Sequence, residues 1–134
     1  MSEPNLQELW EDKAEQERSG YSPEERDFKI FERMSRQAEA NEDLKDYFND
    51  LKNAISRYSE LVVTYERNYG TEIIEEIDEA RLIAHNALID KLNILSREFA
   101  KAGLDSSWRR DIGDSREQVS EWAMNVTEML KQNK

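Results

Sequence analysis

The chain has no cysteine, and its 134 residues include a single histidine, two prolines and four glycines. Without cysteine there are no disulfides, thiolate metal sites, iron–sulfur clusters or thiol nucleophiles. A di-iron bundle site needs a Glu-x-x-His motif on each of two helices. Here Leu82 stands three residues before His85, and no second histidine exists. Zinc hydrolase patterns fail for the same reason. We therefore expect no metal and no cofactor.

Long apolar segments are also missing. No run approaches the roughly 18 residues that a membrane-spanning helix needs. The N-terminal sequence MSEPNLQELWEDK lacks the basic region and apolar core of a secretory signal. The sequence therefore predicts a cytoplasmic protein that does not act on membranes.

The usual signatures of catalysis are missing as well. The chain has no glycine-rich phosphate loop and no nucleophile elbow. The serines of the segment DSSW have only one distant histidine as a possible base, which is a weak basis for a triad. We expect no catalytic residues and no enzyme activity.

What the sequence does contain is helix-forming composition. Segments rich in Glu, Lys, Leu, Ala and Arg lie between the few glycines and prolines, which fall at element boundaries. This pattern predicts an all-α fold, an antiparallel helical bundle of three long helices plus one or two shorter N-terminal helices. Residues 1–20 are expected to form an acidic arm or a short helix, and residues 21–134 the bundle.

The clearest pattern is a heptad seam, in which apolar residues recur every four and three positions in turn. Its members are Leu44, Phe48, Leu51, Ile55, Tyr58, Val62, Tyr65 and Tyr69. Gly70 is suited to end this helix and Thr71 to cap the next one. A turn this short predicts an antiparallel hairpin. Other predicted caps are a Ser22/Glu25 capping box, Asn41, and Asp114 or Ser115 paired with Glu117 or Gln118.

The helix predicted from Thr71 to about Ala102 has a wide apolar face, which favours a place in the middle of the bundle. Arg81 intrudes on that face, and His85 lies at its edge. With Asp78 they form a polar line along the helix. Two residues that face each other across the hairpin should have numbers that add to about 141. This relation places Arg81 level with Glu60, near Tyr58.

Two interpretations of this polar line stay open. In the first, Arg81 is paired with Asp78, Glu60 or the Tyr58 hydroxyl, and a half-exposed His85 covers the apolar stripe. In the second, these residues line a pocket in which Arg81 binds a small anion and His85 acts as acid or base. We favour the first, since an unpaired buried charge is costly.

The net charge is −11, from 30 acidic and 19 basic residues. Such a field repels nucleic acid and anionic membrane at long range and favours basic protein partners. Trp10, Tyr47 and Trp108 are aromatic candidates for an interaction surface.

We therefore predict a small acidic, non-enzymatic bundle that acts through protein–protein contacts, with a homodimer as one possible form. The first alternative is an acidic inhibitor, or DNA mimic, of a nucleic-acid-binding protein. The second is an anion-binding bundle centred on Arg81 and His85.

Overall fold

The computed structural model describes residues 22–132, and in this range the chain forms five helices and no strand. They are α1 (Pro23–Glu39), α2 (Glu42–Arg67), α3 (Ile74–Lys101), α4 (Trp108–Ile112) and α5 (Arg116–Gln132). The helices pack against one another, which confirms the predicted all-α bundle. The predicted arm, residues 1–20, and the surface candidate Trp10 lie outside the described residues.

Three of the five described helices, α1, α2 and α5, begin with the capping hydrogen bonds that the sequence predicts. Ser22 and Glu25 form the capping box at the start of α1. The Asn41 side chain accepts from the backbone N–H of Asp43 at the start of α2. Ser115 and Gln118 form the reciprocal pair at the start of α5. These contacts span only two or three residues, which is why the sequence alone reveals them.

The turn between α2 and α3 differs in one respect. Gly70 takes a left-handed conformation with φ of +86°, as predicted for a residue after the end of a helix. Thr71, however, does not cap α3. Its hydroxyl donates back to the carbonyl of Asn68, and α3 begins only at Ile74. The turn is therefore longer than the sequence suggests.

Helix α2 packs against α1, α3 and α5, and most extensively against α3. The heptad seam is buried from Leu44 to Tyr58, then becomes half-buried at Val62 and Tyr65 and exposed at Tyr69. We expected α3 to be the middle helix, and that expectation is wrong. Its apolar face is as wide as predicted, but α3 packs chiefly on α2 and one flank is left uncovered.

The last helix, α5, crosses the hairpin. Its Ser120 and Thr127 are two turns apart, yet their hydroxyls bond those of Tyr58 and Ser59, which are neighbours on α2, each at 2.6 Å. Beyond this crossing, no residue from 62 to 83 is fully buried. The end of the α2–α3 hairpin therefore extends past the rest of the described bundle.

No helix within residues 22–132 combines the length and the apolar character needed to cross a membrane.

Candidate functional site

The polar line on α3 lies where the hairpin register places it. Lys91 Nζ is 3.9 Å from Asp50 Oδ2, and these two residue numbers satisfy the predicted relation across the turn. The rings of Tyr58 and His85 meet edge-on with centroids 5.4 Å apart. The antiparallel hairpin thus has the register that the sequence predicts.

Arg81 is held by its own helix. Its Nε donates to Asp78 Oδ1 at 3.1 Å, and its Nη2 donates to the same oxygen. The guanidinium also lies over the ring of Tyr65, 4.6 Å from the centroid. The hydrogen bond that Arg81 donates to the Asp78 carboxylate raises the pKa of Arg81 above its ordinary value. Arg81 therefore stays charged, and the Asp78 carboxylate and the Tyr65 ring stabilise that charge.

The other two partners considered for Arg81 are not used. Glu60 is exposed and forms no ion pair with Arg81. The Tyr58 hydroxyl is taken by Ser120 of α5. Asp78 prevails because the two residues are three apart on one helix, where side chains meet without tertiary help.

His85 is deeper than expected, with only 5% of its surface exposed. Its Nε2 is 3.1 Å from the carbonyl oxygen of Arg116, the first residue of α5. A carbonyl can only accept, so Nε2 carries the proton and donates. The other ring nitrogen, Nδ1, is buried and has no hydrogen-bond partner among the described residues. His85 links α3 to α5, and this corrects the expectation of a half-exposed ring at the edge of the helix.

An open groove of about 370 Å³ lies beside these residues. It is lined by Tyr58, Arg81, Leu82, His85, Arg116, Glu117, Ser120 and Glu121. Two guanidinium groups face two carboxylates, so the groove has no excess of positive charge for an anion. Ligand binding by Arg81, His85, Asp78, Tyr58 and Glu60 stays a prediction, and neither Glu60 nor Asp78 is among the lining residues.

A second surface follows the hairpin on another side, and we call it the hairpin face. Its members are Tyr47 and Ala54 on α2, Ile73 immediately before α3, and Ala80, Ile83, Ala87 and Ile94 on α3. Ile83 is 64% exposed and Ile73 49% exposed, and Ala87 is also exposed. Ile83 precedes His85 by two residues, so it points about 160° away from the α5 contact.

No described helix covers this face. The α1 contact with α2 is made through Phe31 and Phe48, and α4 places Trp108 on Phe99 of α3. α5 reaches the hairpin through Tyr58, Ser59 and His85. These contacts involve buried residues and leave Tyr47, Ile73, Ile83 and Ala87 exposed.

A heptad pattern in the sequence of α3 indicates this face, although we did not predict the face from it. Ile73, Ala80, Ala87 and Ile94 recur every seven residues, and Ile83 fits the same heptad pattern. We expected the apolar residues of this helix, Ile83, Ala87 and Ile94 among them, to form one wide core face. In the structure Ile83 and Ala87 are exposed, whereas Ile94 is half-buried and Ala80 packs against the edge of the core.

Tyr47 and Trp108, the two described aromatic candidates for an interaction surface, differ in exposure. Tyr47 is 37% exposed and lies on the hairpin face. Trp108 is buried and packs edge-on against Phe99 at 5.3 Å, so it cannot belong to an interaction surface. This corrects the expectation for Trp108, whose apolar ring fills the space under the α3–α5 connection.

An acidic depression of about 550 Å³ adjoins the hairpin face at Tyr47. Its lining consists of Glu42, Asp43, Asp46, Tyr47, Asp50 and Glu98. Lys45 neutralises Glu42 and Lys101 neutralises Glu98, whereas Asp43 and Asp46 form no ion pair within residues 22–132. No group of three or more potential ligands in this range has a geometry that could hold a metal ion.

Comparison with protein families, with curated proteins and with solved structures finds no match to this chain.

Proposed function

We propose that this protein is a non-enzymatic interaction module that binds a protein partner through the hairpin face. The observation that carries the proposal is a heptad-spaced apolar row, from Ile73 to Ile94, on which Ile83 is 64% exposed. Apolar side chains scattered singly on a surface need no explanation, but an aligned row that no described helix covers is typical of an interface.

The groove beside Arg81 gives less support to a ligand-binding function. The Arg81 guanidinium is bonded to Asp78, and the protonated nitrogen of His85 is bonded to Arg116. Glu117 and Glu121 line the same groove, and their charge opposes anion binding. The His85–Arg116 bond stabilises the packing of α5 on the hairpin.

Imitation of nucleic acid also has less support. A DNA mimic presents carboxylates on one continuous surface in place of phosphates. Along the exposed seam of α3, the apolar residues Ile73, Ile83 and Ala87 interrupt the carboxylates. A partner for this surface has to cover apolar area as well as neutralise charge.

Affinity capture with matched variants tests the proposal. The wild type, Ile83→Ser and Leu82→Ser are immobilised, exposed to extract of the source cells, and the bound proteins are identified by mass spectrometry. Leu82 is the matched control because it is adjacent, 42% exposed and outside the hairpin face. Purified partner is then titrated against each form. We expect a partner that binds the wild type and Leu82→Ser but binds Ile83→Ser at least about tenfold more weakly. Equal binding by all three forms, or by none, refutes the proposal.

A further inference from the structure

We infer that the partner element is a basic amphipathic α-helix of about 20 residues that lies along the hairpin face. The inference rests on the proposed function and adds the chemistry and geometry of what binds there. Three features carry it: the length of the exposed seam, its small residues, and the charges at its two ends.

The length of the seam matches a single helix. From Ile73 to Ile94, at 1.5 Å per residue, the face extends about 32 Å along α3. The small side chains Ala80 and Ala87 let another helix approach closely, and the protruding Ile83 between them acts as a knob. A helix with apolar residues at heptad spacing complements this row.

The carboxylates on the seam favour a basic partner helix. Two seam positions are not apolar: Glu76 lies between Ile73 and Ala80, and Asp90 lies between Ala87 and Ile94. Both carboxylates are exposed and make no ion pair within the described chain. The seam is thus apolar in the middle, with one carboxylate toward each end.

Further carboxylates lie at the turn and beside the other end of the seam, although the heptad spacing past Ile94 continues to the basic residues Arg97 and Lys101. At the turn, Glu72 and Glu79 are exposed and form no ion pair with a described residue. At the other end lies the acidic depression, where Tyr47 sits among five carboxylates. A Lys or Arg side chain there gains attraction from Asp43 and Asp46 and can lie over the tyrosine ring.

A second copy of this chain is a poorer fit. In an antiparallel pair centred on Ile83, Glu76 of each copy comes level with Asp90 of the other. In a parallel pair, each carboxylate meets its own equivalent. Either arrangement places like charges together at an interface, which disfavours association.

Three synthetic peptides of about 20 residues serve as probes, measured by fluorescence anisotropy against the full chain. The first has Leu and Ile at heptad positions and Lys and Arg elsewhere. The second keeps the apolar positions and replaces the basic residues by Glu. The third has the composition of the first in an order that destroys the apolar stripe. We expect the first to bind, the second not to bind, and the third to bind at least about tenfold more weakly than the first.

Two pairs of variants locate the binding. Ile83→Ser should weaken the first peptide at least about tenfold, while Leu82→Ser changes its affinity less than about twofold. The double variant Glu76→Gln with Asp90→Asn should weaken it about fivefold and reduce its salt dependence. Glu117→Gln with Glu121→Gln removes the same charge from the groove beside α5, and should leave binding unchanged. Circular dichroism checks that each variant keeps its helical content.

Several results overturn the inference. Equal binding of the first and third peptides, unaffected by Ile83→Ser, shows attraction by net charge alone. A wild-type dimer in sedimentation velocity that Ile83→Ser abolishes shows that a second copy covers the face. A captured partner that needs Ile83 but ignores both salt and the Glu76/Asp90 variant refutes the basic helix and leaves the proposed function standing. Absence of any partner that needs Ile83 refutes the proposed function itself.

Discussion

The two buried tryptophans offer a matched test of what a hydrogen bond contributes to this core. Trp122 and Trp108 are each 1% exposed. Trp122 Nε1 donates to the backbone carbonyl of Asp27 at 3.1 Å. Trp108 Nε1 is buried and has no hydrogen-bond partner. Replacing each by phenylalanine makes the same side-chain change at two sites that differ in their polar contact.

The expected magnitudes follow from these contacts. The loss of aromatic surface is common to both replacements and largely cancels when they are compared. Trp122→Phe also loses a hydrogen bond that contributes about 1 kcal/mol. Trp108→Phe removes a buried unpaired N–H whose desolvation costs about 1–3 kcal/mol. Trp122→Phe should therefore unfold with a free energy about 2–4 kcal/mol lower than that of Trp108→Phe.

Urea denaturation followed by far-ultraviolet circular dichroism measures this difference. With a dependence of unfolding free energy on urea of about 1–3 kcal/mol per molar, the two midpoints should be separated by about 0.7 M or more. Trp122→Phe should have the lower midpoint. If the midpoints coincide, or Trp108→Phe is the less stable protein, the assignment of polar contacts to the two indoles is wrong.

Three further predictions concern stability. Burial raises the pKa of Asp27 despite its bond from Asn125, so the wild type loses stability as pH rises through that raised pKa. Asp27→Asn should be more stable than wild type above that raised pKa, and pH-dependent urea midpoints should show the advantage shrinking as pH falls through it. The hydroxyls of Tyr58 and Ser120 should couple by about 1 kcal/mol in a double-mutant cycle of Tyr58→Phe and Ser120→Ala, and zero coupling would contradict the bond. Gly70→Ala should lower the unfolding free energy by about 1 kcal/mol, because its φ is +86° although nothing crowds the site. An unchanged melting temperature would contradict that strain.

Local features were predictable because their partners are close in the chain. The Ser22/Glu25 box and the Ser115/Gln118 pair depend on neighbours three residues away. The Arg81–Asp78 contact was one of three options in advance, and it is the one that helix geometry supplies without tertiary contacts.

The depth of individual side chains was not predictable in the same way. His85 and Trp108 are buried because other elements cover them: the start of α5 lies against His85, and Trp108 turns inward onto Phe99. Arg116 is 31 residues from His85, and Phe99 belongs to a different helix from Trp108. The helical period of the sequence could therefore not identify these contacts.

By itself, the sequence determined the all-α class, most helix starts and the register of the α2–α3 hairpin, since these depend on short-range bonds and on the period of apolar residues. The tertiary structure decided which flank of α3 is covered. Hydrophobic attraction has no direction, so two apolar stripes on one helix are equally ready to be buried. The polar bonds that α5 makes with Tyr58, Ser59 and His85 placed it across one side. Because α5 lies there, the hairpin face has no covering helix among the described residues.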